Sequence, residues 1–526
     1  MPPLLVLPQP LRLAEPVILT VSGSVINPGA DVTYSKQLQE KSALKTKRKR
    51  KSTKADGGGA AQPRADDEDS RPKDPLELAR ELGISSDDTR PGKQRETTLF
   101  GKRLIIGGKL SGDVRARVDY GAKDDDVSFA PEAVLEAVWL PSKTTVVFAS
   151  AKATGEAELY KQGGGAHSKA DVELNAFWLL QTRLGGTPLA VQIGRQKMQD
   201  RRNWWWDDDI DAVRLHYFGS KVTGFVGIGA VNSVYLSTLG RVEPEERGLL
   251  RMFGTAEWEW SKRHSITVFA LRQNDRTSRY ALGEQVSRDD ADRQDAKLSW
   301  IGTRARGCFK PKLPRRICYW GDIAQVRGSE VSYGFGRDRA QNSIVNRLTN
   351  RDVRGWAYDL GTSIELPFTL KPYLTLGYAR GSGDPAGTSG LDGAFRQTGL
   401  HKNDGKFRGL TRFRYYGEVL RPNLSNIAVA TAAIGVPIGK HSWVETIWHR
   451  YRQRVPDNNI SGSKLNHDPN GVDKRLGEEV DVIVSHRPVS GWVFELTGGA
   501  FRAGPAFGSD AGRLAGLIEL KVDYNF

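Results

Sequence analysis

The sequence predicts an all-β chain: a single large antiparallel transmembrane β-barrel over 98–526, behind a charged, poorly ordered leader over 1–97. Three observations predict it. Long runs alternate apolar and polar residues at the two-residue period of a strand. No window approaches the roughly 18 consecutive apolar residues that a spanning helix needs. The chain also ends on Phe526, with Ile518, Leu520, Val522 and Tyr524 at alternate positions before it.

The leader comes first. Residues 45–54 (KTKRKRKSTK) form a compact basic run, followed by the acidic run Asp66, Asp67, Glu68 and Asp69. Residues 41–74 hold almost no large apolar side chains, so burial cannot offset the entropy of ordering them. Asp74 as N-cap, Pro75 in the first turn and Gly83 as a stop predict a short helix over 75–82. A basic run in such a tail reads as solvated rather than as a nucleic-acid tag. No Lys or Arg precedes Arg12, and prolines and charges interrupt the apolar stretch 4–19, so no secretory signal is legible at the recorded N-terminus.

The chain carries a formal charge of +15 with a pI near 9.6. Residues 1–97 hold 17 basic and 14 acidic residues, so most of the excess lies in the barrel region. That balance predicts a polyanionic partner. With 13 Trp, 15 Tyr and 18 Phe, a fully disordered chain is excluded. Two cysteines are too few for a disulfide scaffold or a multi-cysteine zinc site.

From about Phe100 the strand pattern begins. In 104–120, Leu104, Ile106, Leu110, Val114, Val118 and Tyr120 share one face, and Lys109, Asp113, Arg115, Arg117 and Asp119 the other. The pattern returns with Trp356, Tyr358, Leu360, Ile364 and Leu366 against Asp359 and Glu365. It returns again with Trp492, Phe494 and Leu496 against Glu495 and Thr497, and in the last strand against Glu519, Lys521, Asp523 and Asn525. A soluble sandwich alternates too, but its strands are about five or six residues long. Longer runs with an oily face, a charged face and aromatics near their ends fit an outer-membrane barrel, oily side to lipid and charged side to a wet lumen. Closure then satisfies every backbone group within the bilayer. Residues 98–526 spread over 18 strands leave roughly 24 residues for each strand and its connection, enough for strands of about ten.

Parity assigns candidate pore residues. Lys109, Arg115 and Arg117 face the lumen if Leu110, Val114 and Val118 face lipid. Arg408, Arg412, Arg414 and Glu418 oppose Phe407, Phe413 and Tyr415. Arg214 and His216 oppose Val213, Leu215 and Tyr217. Fixed cations around a narrow pore select anions, and Arg binds carboxylates bidentately while staying charged. Nearby acids such as Asp119 and Glu418 keep binding reversible, as conduction requires. Trp204, Trp205 and Trp206 read as interfacial anchors, and Asp207, Asp208 and Asp209 as a solvated loop tip rather than a divalent-ion site. Cys308 and Cys318 flank a Lys/Pro/Arg-rich loop and can close a small disulfide loop in an oxidising compartment. No GxSxG elbow, HExxH or P-loop is present, so the chain reads as no enzyme.

Three segments carry a family resemblance. The first runs from Gly194, Arg195 and Gln196 through the three tryptophans and Asp207, Asp208 and Asp209 to Asp211, Ala212, Val213, Arg214 and Leu215. The second holds Phe395, Arg396, Gln397, Thr398, Gly399, Leu400, His401, Lys402 and Asn403, then Phe407, Arg408 and Gly409. It continues through Arg412, Phe413, Arg414, Tyr415, Tyr416, Gly417 and Glu418 to Leu424, Ser425 and Asn426. The third holds Glu445, His449, Arg450, Tyr451, Arg452 and Gln453, then Leu476, Gly477, Glu478, Glu479, Val480 and Asp481. Together they resemble the alginate-export outer-membrane proteins of Gram-negative bacteria.

The resemblance implies a monomeric 18-stranded barrel in outer-membrane lipid, without a cofactor or a nucleic-acid partner. Its electropositive lumen would conduct alginate or a similar anionic polysaccharide outwards. It would work with a periplasmic tetratricopeptide-repeat lipoprotein of a secretion complex, and loops would gate the pore. The resemblance adds Arg195, Arg396, Arg450 and Arg452 to the lumen set, and Asp207 and Asp209 to the modulating acids. Arg195 shares parity with Val191 and Ile193, so it needs a bulge, a strand end or an inward fold. Arg450 and Arg452 share parity with Val444 and Trp448, which places them past the aromatic girdle. The competing readings are an anion-selective porin for uptake of small acidic solutes, a soluble polyanion-binding β protein, and an outer-membrane polysaccharide lyase or hydrolase.

Overall fold

The computed structural model describes Leu76 and residues 95–526, apart from 120–124, 162–166, 231–247, 276–279, 288–290, 310–314, 338–342, 386–389 and 489–490. All of these lie in the unit Ala65–Phe526. The basic run 45–54 falls outside the described residues, as does the predicted helix 75–82 except for Leu76, which is helical.

Eighteen antiparallel strands close on themselves. Numbering the barrel strands alone, they are β1 (Lys102–Val118), β2 (Asp126–Leu140), β3 (Thr145–Lys161), β4 (Ser168–Gln181), β5 (Leu189–Gln199), β6 (Asp207–Phe218), β7 (Val222–Ala230), β8 (Leu250–Ser261) and β9 (His264–Asn274). They continue as β10 (Gln294–Phe309), β11 (Ile317–Arg337), β12 (Ser343–Glu365), β13 (Tyr373–Gly381), β14 (Ile427–Ile438), β15 (Ser442–Gln453), β16 (Arg475–His486), β17 (Trp492–Ala503) and β18 (Leu514–Asn525). Each pairs with its chain neighbours, and β18 pairs with β1 from Lys109 opposite Asn525 to Val118 opposite Gly516. Phe526 and Gly108 exchange both backbone hydrogen bonds at 3.0 Å. No barrel edge is left open, which a bilayer interior demands.

The alternation decides which face meets lipid. Leu110, Val114 and Val118 are 50%, 40% and 53% exposed on the outside. Ile301, Ile323, Leu360, Ile518 and Leu520 are exposed on the same outer surface. Aromatic side chains ring the end that carries the short turns: Trp492 packs on Tyr524 at 4.8 Å, and Phe309 on Tyr319 at 5.6 Å. In such barrels the short turns face the periplasm and the long loops the cell exterior. Strand lengths run from 9 residues in β7 to 23 in β12, so several exceed the length of about ten read from the sequence. The long β11–β12 hairpin extends well past its neighbours on the loop side.

Two connections on the loop side turn inward. The one between β5 and β6 spans 200–206, and the one between β13 and β14 spans 382–426. Their aromatic and aliphatic side chains fuse with inward residues of the wall into one buried cluster, which includes Trp205, Ile210, Phe269, Trp300, Phe395, Leu400, Tyr416, Leu420 and Phe501. The barrel thus has a packed interior core as well as a lipid-facing belt. A smaller inward cluster near the short turns holds Ile105, Val138, Phe148, Trp178 and Leu180, with Leu76 against it.

Candidate functional site: a lumen crossed by an inserted connection

The connection 382–426 enters beside Gly381, where Ser382 accepts from the backbone amides of Phe395 (2.9 Å) and Asn426 (3.0 Å) and so closes the neck. It then runs the length of the barrel. Phe407 stacks on Trp320 at 5.7 Å, and the Arg408 guanidinium lies 3.9 Å over Tyr373 with Nη1 3.2 Å from Cys318 Sγ. Arg487, in the turn between β16 and β17, donates to the Leu410 carbonyl at 2.6 Å. These partners sit at the short-turn end, opposite the neck.

Tyr415, Tyr416, Val419, Leu420 and Leu424 bring it back up, all buried. The wall holds this return leg through backbone amides. Glu479 accepts from Val419 (2.7 Å) and Leu420 (3.1 Å), and Asp481 from Glu418 (3.3 Å). The Tyr451 hydroxyl lies 3.1 Å from the Tyr416 carbonyl and 3.0 Å from Glu479. Gly417, at φ 97°, makes that approach possible, because a Cβ there would sit 2.1 Å from the Tyr451 hydroxyl.

The connection 200–206 is pinned by its own first residue. Asp200 accepts from the amides of Arg202 (2.9 Å), Trp205 (2.8 Å) and Trp206 (3.1 Å). Burial pushes its carboxyl up, but the Arg304 charge and those amide donors outweigh burial and hold it below its ordinary value. Arg202 then lies between Trp320 (4.5 Å) and Tyr415 (4.2 Å) and reaches Asp359 at 2.7 Å. Arg304 bridges Asp200 (2.5 Å) and Asp322 (2.6 Å). Each of the three carboxylates thus meets at least one of the two guanidiniums in a dry interior, where unpaired charges would be costly.

This arrangement corrects two sequence expectations. The tryptophans are no interfacial anchors: Trp205 is 1% exposed and stacks on Phe269 at 4.8 Å, while Trp204 stacks on Phe395 at 6.2 Å. They lie on a connection, where strand parity gives no direction. Nor is Asp207 a solvated tip, being buried between Lys197 (3.1 Å) and Lys402 (3.4 Å), with Asn203 donating at 3.0 Å. Asp208 and Asp209 begin β6 beside it. The parity read over 407–418 also finds no barrel strand, because only the short pair Asp404–Gly405 and Phe413–Arg414 forms there.

The remaining sequence-derived residues divide into three groups. On the inner wall, Lys109 pairs with Glu132 (2.7 Å), Arg115 with Glu519 (2.6 Å) and Asp113 (3.3 Å), and Arg117 donates to the Lys464 carbonyl (2.7 Å). Asp119 accepts from the Asn466 amide at 3.1 Å, and Arg214, with His216 alongside, donates to Gln192 and Gln196. On the inserted connection, Arg396 pairs with Glu330 and Asp392, and Arg412 with Asp404 at 3.8 Å. Arg414 donates to the Lys402 carbonyl, and Glu418 holds both the Arg414 amide and the Arg421 guanidinium. The third group stands on outward parity. Arg195 shares the parity of exposed Ile193 and bonds the Asn175 carbonyl at 3.2 Å, and Arg450 and Arg452 are exposed on β15, with Arg450 on Glu478 at 3.1 Å.

Cys308 and Cys318 are register partners on β10 and β11, joined as a disulfide that closes the hairpin next to Arg408. Sequence reasoning missed the acids that hold the insert, Glu479 and Asp481, and the knot acids Asp200, Asp322 and Asp359. The available signal was the aromatic content of 395–416, unusual for a solvated loop.

Comparison with known proteins follows the same lines. A sequence-family model described as "Alginate export" matches residues 115–518. The alginate production protein AlgE of Pseudomonas aeruginosa is 25% identical over 374 residues, covering 66% of this chain and 73% of that protein. Its namesake from Pseudomonas syringae pv. tomato is 24% identical over 347 residues, covering 61% and 67%. Among solved structures, Pseudomonas aeruginosa OccK5 (OpdH) aligns with TM-score 0.49 at 8% identity over 80% of this chain and 98% of its own. A BenF-like porin from Pseudomonas fluorescens aligns with TM-score 0.49 at 11% identity, with the same coverage. With its closed 18-stranded barrel and a family match over most of its length, the chain is a bacterial outer-membrane transport barrel, not an enzyme, and it belongs to the alginate-export family.

Proposed function

We propose that the protein exports alginate, or a similar anionic exopolysaccharide, through a lumen whose conducting surface is cationic. The observation that carries this reading is the family match over residues 115–518. Supporting it are the cations inside the barrel: Lys109, Arg115, Arg117 and Arg214 on the wall, and Arg396, Arg408, Arg412 and Arg414 on the insert. A uronate chain presents one carboxylate per sugar, and guanidiniums lower the cost of moving them across a low-dielectric slab. Asp119, Asp207, Asp209 and Glu418 keep each contact short-lived. Arg195, Arg450 and Arg452 enter the path only if the wall rearranges locally, since all three stand on outward parity.

The connection 382–426 is the gate in this reading. The polymer displaces it from the wall acids as it advances, and a periplasmic tetratricopeptide-repeat lipoprotein of the secretion complex feeds the polymer to the short-turn end. The barrel works as a monomer in outer-membrane lipid. The test is a planar-bilayer recording of the full chain under a potassium chloride gradient, with polymannuronate added on the short-turn side. Anion selectivity with block by polymannuronate, and none by neutral dextran, is expected. An ohmic, anion-selective pore that ignores the polymer would favour uptake of small acidic solutes instead.

A further inference from the structure

The outer wall carries an arrangement that conduction does not use. Arg272 on β9, Ser299 on β10, Arg327 on β11 and Arg354 on β12 are consecutive register neighbours: Arg272 lies opposite Ser299, Ser299 opposite Arg327, and Arg327 opposite Arg354. All three arginines are exposed and share the outward parity of Val268, Ile323 and Trp356. On the next strand Arg380 stacks its guanidinium on Trp356 at 5.0 Å. Among the described residues none of these four guanidiniums pairs with a carboxylate, and Arg272 bonds only the Ser299 hydroxyl, at 3.1 Å. Inside the barrel, by contrast, Arg115, Arg202, Arg304 and Arg396 each hold an acid. Like charges directly opposite on an antiparallel pair are destabilising, so Arg327 against Arg354 calls for an anion from outside the chain.

The height of this row fits a headgroup layer. Between Ile317, at the turn end of β11, and Arg327 the chain advances roughly 34 Å at about 3.4 Å per residue. At a strand tilt near 40° that projects to about 26 Å along the barrel axis, close to the roughly 25 Å height of a barrel's apolar band. The row therefore lies where acyl chains give way to headgroups, in the leaflet on the loop side. Directly below and beside Arg272, a groove of about 890 Å³ runs down the outer wall between Val213, Leu215, Val226, Met252, Val268 and Ile301. Small residues recess its floor, Gly254, Ala256 and Ala270 among them, and Arg272 and Ser299 stand at its head.

We propose that this face binds a phosphate-bearing, multiply acylated glycolipid of the outer leaflet. Its phosphates would sit between Arg272, Arg327 and Arg354, and one acyl chain in the groove. Guanidinium forks match phosphate bidentately, and the apolar groove gives the site a lipid preference that a free anion lacks. The site is independent of the export reading, because it lies on the opposite side of the wall from the lumen.

The test uses the full chain in detergent micelles, with native mass spectrometry reading bound lipid. The probes are bis-phosphorylated hexa-acyl lipid A, its dephosphorylated form, and inorganic phosphate. Retention of the phosphorylated lipid over the dephosphorylated one is expected. Retention should fall at least roughly tenfold in the triple variant Arg272→Gln, Arg327→Gln, Arg354→Gln, and recover only in part when all three are Lys, which keeps the charge but lacks the bidentate fork. Channel conductance and heat-modifiable gel mobility should not change in either variant, which separates loss of binding from loss of fold. Equal retention of the two lipids, unchanged retention in the triple variant, or competition by inorganic phosphate at concentrations equal to those of the lipid would each overturn the proposal.

Discussion

Tyr416, on the connection that crosses the lumen, donates its hydroxyl to Asp359 on the barrel wall at 2.8 Å, and Trp204 donates to that same hydroxyl at 2.8 Å. One phenol therefore joins the long insert, the short inward turn and the wall. Asp359 also holds Arg202, so its carboxylate is the point at which all three elements meet.

Replacing Tyr416 by Phe removes the junction without emptying the space. Asp359 keeps Arg202, but the Trp204 indole loses its acceptor in a dry interior, at a cost of about 1–3 kcal/mol. The insert should then leave the wall more often. Single-channel recordings are expected to show more frequent transient openings than the unaltered protein at the same voltage.

Arg304→Met acts differently, because it leaves buried Asp200 without its cation and Asp322 with only Arg202 Nε, 3.6 Å away. Breaking a buried pair in this way costs about 3–5 kcal/mol. The urea midpoint of the barrel in detergent should fall, whereas adding Asp322→Asn to the variant should recover part of the loss.

His401 gives the insert a pH dependence. Its Nδ1 is enclosed and its Nε2 lies 3.1 Å from Asn423 Oδ1. Burial lowers its pKa to about 4; the Asn423 contact works against that shift and the Arg414 charge adds to it. A histidine whose folded pKa lies below its unfolded value of about 6.5 prefers the neutral form. Its contribution is fully present above about pH 6.5 and is lost as pH falls towards about 4. Open probability should rise over that window, and His401→Gln should flatten the rise.

Arg117 and Lys109 separate paired from unpaired charge. Lys109 is met by Glu132, whereas Arg117 makes no ion pair among the described residues and bonds only a carbonyl. Arg117→Gln should move the reversal potential towards zero in a salt gradient. The double variant Lys109→Gln with Glu132→Gln, which removes one charge of each sign, should leave it nearly unchanged.

How much of this was legible depends on which residues obey a period. Leu110, Val114 and Val118 alternate with Lys109, Arg115 and Arg117, so the strand, its lipid face and its inward charges could be read directly. The terminal pattern at 518–526 likewise announced the closing strand. Residues 395–424 obey no period, because both faces of that segment are buried, and an alternation across Phe407, Arg408, Phe413 and Arg414 imitated a strand by chance. Trp204, Trp205 and Trp206 were misplaced for a related reason. An aromatic suits both a membrane rim and a dry core, and only the tertiary fold chooses between them. The knot joins Asp200 and Arg202 to Arg304, Asp322 and Asp359, all more than a hundred positions further along the chain, and no local pattern reports such a pairing.

The central claim is that the inserted connection gates a cationic path for an anionic polymer. It is tested most directly by replacing 394–424 with a short Gly/Ser linker, which the neck between Ser382 and Asn426 can accommodate, and recording the barrel in a planar bilayer. A several-fold rise in conductance is expected, with a reversal potential on the anion side and block by polymannuronate but not by dextran. Unchanged conductance, or an enlarged pore that prefers cations or passes current freely in the presence of polymannuronate, would contradict it.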